Sequence, residues 1–362
     1  CTVINYRPSV MIKIPFTFLQ KLLFLMGPER AQRLVLSNID RWMNLGFLNP
    51  YIRDPMEDPI ELMGLKFPNT IGLAAGFDRA GKCVSGFGGL GFGHIEVGSV
   101  WEQSTQSIKS ISLRAASQTV AYTEGMGGAQ VDQVLENLKS AAAYRNRGAI
   151  LGVNIAGEIG EDAKKTAQAF IAPLNKVYRH TDYVTLNLTS GLSRGFATQY
   201  KGQVALTLKQ VAEERERLMQ KEGYPYRPIA VKVAAGQDND TLLWLTDQLL
   251  YYRFDGIVAT GSGVGIAGER LSGSVIKDRS TEVIELLATH LRGDLPIIAS
   301  GGVLTPEDAL EKIKAGANLV QIFSGLIFNG PGLVADASDL VARWRLTQKG
   351  VMKSLRPSKK LN

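Results

Sequence analysis

Apolar residues fall along this chain in eight short runs, separated by longer stretches whose apolar positions repeat every three or four residues. The runs span residues 69–76, 94–100, 149–156, 183–190, 229–235, 256–262, 296–302 and 319–325. Each has the length of one strand covered on both faces, as in a parallel sheet. The stretches between them, among them 131–145, 202–222 and 281–292, predict amphipathic helices. Eight strand–helix units predict an α/β fold, the (β/α)8 TIM barrel, whose chemistry gathers at the C-terminal strand ends. There the runs carry or are followed by Asp78, Ser99, Asn154, Asn187, Ser190, Lys232, Thr260 and Ser262.

A barrel takes about 250 residues, so a chain of 362 leaves an N-terminal extension and a tail. Residues 11–27 read as a short apolar helix, and Pro28-Glu29-Arg30 opens a second one to about Asn44, since Pro and acidic residues suit a first turn. The first helix falls short of the ~20 apolar residues of a membrane span, and Lys13 and Lys21 interrupt it. Apolar residues interleaved with Arg30, Arg33 and Arg41 are the pattern of an interfacial helix pair. The expectation is peripheral association with a membrane surface or a membrane protein complex; helices that only cap the barrel are the plainer alternative. The expected divisions are a helical extension over 1–50, a barrel over 51–345 and a basic tail over 346–362. The sequence begins at Cys1, which predicts either a lipid anchor on a processed lipoprotein or a truncated start.

A net charge of +7 favours an anionic cofactor, an anionic membrane face or nucleic acid. No basic and aromatic recognition module is present, so no nucleic-acid partner is expected. Cys1 and Cys83 cannot build a disulfide framework, and Cys83 is expected as a buried, inert thiol in the first barrel helix. His94, His180 and His290 are scattered, which predicts surface or strand-end positions and no metal site.

Further motifs sharpen the picture. They are Gly72-Leu-Ala-Ala-Gly-Phe-Asp78, Gly91-Phe-Gly-His-Ile-Glu-Val-Gly-Ser99, Gly152-Val-Asn154, Asn187, Val231-Lys232, Leu271-Ser-Gly273, Ser300-Gly-Gly302 and Leu319-Val-Gln-Ile-Phe-Ser324. In this order, from about residue 28 to about residue 331, the chain resembles the membrane-associated, quinone-linked (class 2) dihydroorotate dehydrogenases. The resemblance implies FMN, quinone as the oxidant and a place in pyrimidine biosynthesis. It places Ala75 and Gly76 beside the flavin ring, with Ser99, Asn154, Asn187 and Thr260 around it. Lys232 falls at the ring's N1–C2 carbonyl region, where a cation stabilises the reduced flavin. Gly273, Gly301, Gly302, Phe323 and Ser324 would wrap the phosphate. Glycine-rich loops that open helices near the last barrel strands support that group independently. Ser190 corresponds to the family's catalytic base, and Arg79, Asn187 and Ser262 to substrate contacts.

The substrate side departs from the family pattern. The family's lysine after the Asp of the first motif is Arg79 here, which keeps the charge and changes its shape. Three asparagines that hold the orotate ring in the family correspond to Glu124, Leu192 and Gly261, and the proline of the catalytic loop is Gly191. The loop after the second strand also lacks the family's prolines over 101–110. Each lost partner of a buried polar group costs about 1–3 kcal/mol. Three together predict a loss of affinity on the order of a hundredfold to a millionfold. Two functions are therefore expected to compete. One is a dihydroorotate dehydrogenase-like flavoprotein with impaired parent activity; a variant of it keeps the flavin and takes a smaller substrate without orotate's amide edge, which would meet Arg79, Glu124, Ser190 and Ser193. The other is a non-catalytic paralogue serving as an accessory subunit of a membrane complex.

Overall fold

The computed structural model describes residues 15–103, 108–124, 128–145, 148–189, 199–266 and 268–354. Ser190, Gly191, Leu192, Ser193, Cys1 and residues 355–362 of the basic tail, all named above, lie outside the described residues.

All eight expected strands are present, seven of them shorter than the apolar run and the second one residue longer. They are β1 (Ile71–Leu73), β2 (His94–Trp101), β3 (Ile150–Ile155), β4 (Tyr183–Asn187), β5 (Ile229–Val233), β6 (Gly256–Ala259), β7 (Ile297–Ser300) and β8 (Leu319–Ile322). Each pairs in parallel with its neighbour in sequence, and β8 pairs with β1 to close the barrel. Helices such as Ala163–Val177, Lys201–Gln220 and Lys277–Leu291 cover the outside with their apolar faces. The segment over 131–145 is not one helix. It breaks into Val131–Leu138 and Ala142–Arg145 around a tight turn at Lys139–Ala141.

The barrel interior changes character along its axis. At the N-terminal end, Phe67, Ile150, Ala230, Val258, Ile298 and Leu319 pack together. A two-stranded hairpin, Ile60–Leu62 with Leu65–Phe67, plugs that end. His94 opens β2, as a strand-end residue, but is fully buried edge-on against Phe67. It fits because residue 72 is glycine: a Cβ there would meet its imidazole at 2.1 Å. Burial pushes His94 down to about 4, against an opposing pull from Glu96. Above this floor the interior is polar, with Glu96, Thr185 and Gln321 fully buried and Asn154, Asn187 and Lys232 beyond them towards the C-terminal end.

The extension forms two helices, α1 (Phe16–Leu25) and α2 (Pro28–Asn44), the second starting at its proline as its first-turn chemistry predicts. Cys83 stands just before the short helix Val84–Gly88 rather than inside it. Its buried thiol donates to Leu36 O at 2.9 Å, and burial together with the nearby Asp78 and Asp40 pushes it up to about 12. A further element was not expected from the sequence. Ile108–Arg114 and Thr119–Glu124 form a hairpin that joins Arg270–Gly273 and Gly263–Val264 in a four-stranded antiparallel sheet. Glu29 of α2 accepts from Ile111 N at 3.1 Å, tying the extension to this sheet.

Candidate active site

A cavity of about 680 Å³ joins the C-terminal end of the barrel to the N-terminal helices. Its barrel end is lined by Ala75, Gly76, Ser99, Asn187, Lys232, Ser262 and Phe323. Its other end is lined by Leu19, Leu22 and Leu23 of α1, Leu34 and Val35 of α2, and Ile111, Leu113, Val120 and Tyr122 of the antiparallel sheet. The walls near α1 and α2 are thus almost wholly apolar. Arg79 and Arg270 line the same cavity, so with Lys232 it carries three cations.

Strand register brings the polar groups of the barrel end together. Asn187 and Lys232 are direct partners across β4 and β5, and Gly98 lies opposite Asn154 across β2 and β3. A continuous hydrogen-bond chain results. Asn154 Nδ2 donates to Glu96 Oε1 at 2.8 Å, Ser99 Oγ donates to Asn154 Oδ1 at 2.7 Å, and Asn187 Nδ2 donates to Ser99 Oγ at 2.8 Å. Asn187 Oδ1 then accepts from Thr189 N at 2.9 Å and Thr189 Oγ1 at 2.6 Å. Glu96 also accepts from Tyr183, Thr185 and Gln321, all on Oε2. Burial pushes the Lys232 ammonium below the ordinary lysine value, and the Glu96 carboxylate pulls it back. Lys232 and the Glu96 carboxyl group thus interact within one buried polar interior.

The glycine loops meet as the phosphate group of residues requires. A Cβ on Gly302 would stand 2.3 Å from Lys277 Cα, and one on Gly273 would stand 2.0 Å from Gln118 O; both have positive φ. No other residue type keeps these backbones in place. Ser272 and Ser324 join their hydroxyls at 2.9 Å, linking the sheet to the start of helix Ser324–Asn329. Behind them Lys277 pairs with Asp308 at 2.5 Å and Glu311 at 3.1 Å, and the buried Lys312 donates to Lys277 O at 2.8 Å. This is a braced cradle of backbone N–H groups at helix starts, the usual seat of a phosphate.

These features fit FMN. Gly76 leaves open backbone at the cavity wall, held by Gly76 N to Gly98 O at 2.8 Å, and Phe323 stands beside it. Ser99, Asn187 and Lys232 face the same space; Gly273, Gly301, Gly302 and Ser324 do not line it, but their chain neighbours Ser272, Ser300 and Phe323 do.

Not every expected residue lines the cavity. Asn154 acts one hydrogen bond behind it, through Ser99. Thr260 is fully buried, its backbone N bonded to Ser300 O at 2.7 Å. Gly301 lies beside it, a Cβ there meeting Thr260 O at 2.9 Å. Asp78 spends its carboxylate on Lys82 N at 3.0 Å and Cys83 N at 2.7 Å, shaping a loop rather than facing the cavity. Burial raises its pKa against those two bonds. Glu96, Thr189, Tyr122, Arg270 and Ser272 were not foreseen as part of the site. Among the described residues no group of His, Cys, Asp and Glu is placed to hold a metal ion.

Comparison with known proteins agrees with this geometry. The family model described as Dihydroorotate dehydrogenase matches residues 59–343. The chain is 36% identical over 335 residues to "Dihydroorotate dehydrogenase (quinone)" of Methylobacillus flagellatus, covering 89% of this chain and 98% of the relative. It is 33% identical over 339 residues to the protein of the same description from Teredinibacter turnerae, covering 90% and 99%. Among solved structures, DHODH from Eimeria tenella in complex with ferulenol is similar, with a TM-score of 0.77 at 26% identity. That match covers 90% of this chain and 93% of the other.

Proposed function

Because the chain belongs to the dihydroorotate dehydrogenase family, we propose that it is a quinone-reducing FMN flavoprotein working at a membrane surface, with a weakened hold on dihydroorotate. The observation that carries this reading is the single cavity that has polar, cationic walls at the barrel end and apolar walls between α1 and α2. FMN, when bound, takes two electrons from a reduced substrate and passes them to an oxidant.

The chain's own residues divide the remaining work. Lys232 places a cation where negative charge gathers on a reduced ring system, in a pocket that burial keeps low in dielectric. Ser99 and Asn187 hold fixed hydrogen-bonding groups at the same wall. Thr189, bonded through both its N and Oγ1 to Asn187, fixes the chain just before Ser190, the residue assigned to proton removal. Arg79 and Arg270 offer charge to an anionic substrate. The apolar end suits a lipid-soluble oxidant that arrives along α1 and α2.

Membrane contact is supported by the outer face of the extension. Phe18, Leu22, Leu25 and Met26 of α1, with Leu45 and Phe47 after α2, are exposed large apolar side chains close together in sequence. No described helix is long and apolar enough to cross a membrane. Adsorption in the interface plane is the mode that such helices support.

The weak hold on dihydroorotate rests on Gly261, which lines the cavity and has no side chain to offer the substrate, and on the replacements at Leu192 and Glu124. The test is the visible spectrum of the purified protein, without oxygen, before and after dihydroorotate and then after a short-chain quinone. The expected result is a flavin band that bleaches slowly and returns with quinone. Rapid, complete bleaching would refute the weakened hold. Protein that stays colourless after added FMN would refute the flavoprotein reading and favour a non-catalytic subunit.

A further inference from the structure

Glu96 is the one carboxylate among the described residues whose two oxygens collect four side-chain donors: Asn154 on Oε1, and Tyr183 at 3.0 Å, Thr185 at 2.9 Å and Gln321 at 3.0 Å on Oε2. It lies fully buried on β2, one layer below the cavity wall. A carboxylate has about four lone-pair positions and no hydrogen to give. Its capacity here is filled by donors alone.

We propose that Glu96 is a positioning residue: as an acceptor-only group on the barrel axis, it sets which way the Asn154 amide and, through it, the Ser99 hydroxyl face, and so what Ser99 presents to the cofactor. The proposal rests on the flavoprotein reading above. The argument is one of donors and acceptors in series. Asn154 must turn Nδ2 to Glu96, which leaves Oδ1 for Ser99. Ser99 has one hydrogen and spends it on that Oδ1, so its lone pair receives Asn187 Nδ2. Asn187 then has its Oδ1 for Thr189, whose N and Oγ1 both donate. Reversing any one amide sets donor against donor or acceptor against acceptor in a buried site, where neither group can turn to water instead. The chain, over five residues, is thus anchored at both ends by groups that cannot reverse, Glu96 below as acceptor and Thr189 N above as donor, and its lower half is directed by Glu96.

The replacement Glu96→Gln keeps the shape and adds two hydrogens. With three donors crowding Oε2, the new amide group is driven to the Asn154 side, where it meets Nδ2. Adding Asn154→Asp supplies a carboxylate that accepts from the new amide and still accepts from Ser99, restoring the order of the chain above it. The experiment is titration of stripped protein with FMN, followed by flavin fluorescence, for wild type, E96Q, N154D and E96Q/N154D.

The expected result is at least about a tenfold loss of FMN affinity in each single variant. The double variant should bind at least about tenfold more tightly than the two losses combined predict. Losses that simply combine, or E96Q binding FMN like wild type, overturn the proposal. If E96Q does not fold, recovery of soluble, FMN-binding protein in the double variant supports the proposal, and its failure there overturns it. Tyr183→Phe removes a donor from the far side of Glu96. It should lower the melting temperature and leave FMN affinity within about twofold of wild type. An equal FMN loss in Y183F would show that Glu96 acts only through general packing, and would overturn the proposal. Wild-type protein that takes up no FMN would overturn the flavoprotein reading together with this one; wild-type uptake with combining losses would overturn this one alone.

Discussion

Lys232 crosses Gly261 so closely that a Cβ on residue 261 would stand 2.6 Å from its Cε and 3.3 Å from its Nζ. The missing side chain at 261 and the position of the buried cation are therefore one fact. Lys232 occupies room that another residue type at 261 would contest.

That contact decides what restoring the family's asparagine would do. Gly261→Asn must push Lys232 aside, at about 1–3 kcal/mol for overpacking, and recovers one substrate partner worth a similar amount, about 1–3 kcal/mol. The two offset each other. G261N should not speed the bleaching of the flavin band by dihydroorotate, measured in an anaerobic stopped-flow experiment. A faster variant would show that Lys232 yields at little cost.

Lys232→Met keeps the stem and removes the charge. Loss of one preorganised electrostatic partner should slow flavin reduction on the order of a hundredfold or more. Stability should move the other way. Burial lowers the lysine pKa on folding, so the unfolded chain holds the proton more firmly, and the penalty is full at pH values below the folded pKa. It fades as pH rises to the unfolded value. K232M should therefore melt higher than wild type at neutral pH, with the gap closing in alkali. Parallel melting curves at pH 7 and pH 10 check both signs.

His94 predicts acid lability. Its pKa falls from 6.5 to about 4 on folding, so between those values the unfolded chain binds a proton that the native one does not. Stability is complete above 6.5 and is lost as pH falls towards 4, by about 3 kcal/mol over that window. Urea denaturation at pH 7 and pH 5 should show about 2 kcal/mol of this loss in wild type and a smaller one in His94→Phe. Equal losses would assign the lability to other groups.

The exposed face of α1 gives a prediction about adsorption. Leu25 is 84% exposed and Phe18 is 54% exposed, and neither lines the cavity; burying such a side chain is worth about 1.5–3 kcal/mol. The pair Phe18→Glu with Leu25→Glu should cut binding to mixed anionic vesicles by more than about tenfold in a flotation assay. Its flavin content should be unchanged. Unaltered flotation would move the docking surface away from α1.

Much of this fold and site was legible in the sequence because parallel strands buried on both faces leave unbroken apolar runs. All eight runs became barrel strands, and Pro28 opened α2. Asn187, Lys232 and Ser99 were legible because polar residues at C-terminal strand ends have few other reasons to be there. Glu96 carried a signal that went unused: it is a lone carboxylate inside an apolar run, two residues from His94, and alternation turns both inward. His94 was read without its neighbour Gly72, whose missing Cβ makes the space. The antiparallel sheet over 108–124 and 263–273 was hidden because its pairing joins segments about 150 residues apart, and no local pattern records that. Arg270 and Tyr122, direct partners in that sheet, enter the cavity only through it.

Gln20 of α1 donates through Nε2 to Ile327 O at 3.0 Å and to Phe328 O at 2.5 Å. Those two carbonyls belong to the short helix that begins immediately after Phe323. The leading helix and the cavity-lining Phe323 thus hang from one six-residue span, so tilting the first tugs mechanically on the second. A chain settled on lipid and a chain adrift in water need not grip their cofactor equally hard.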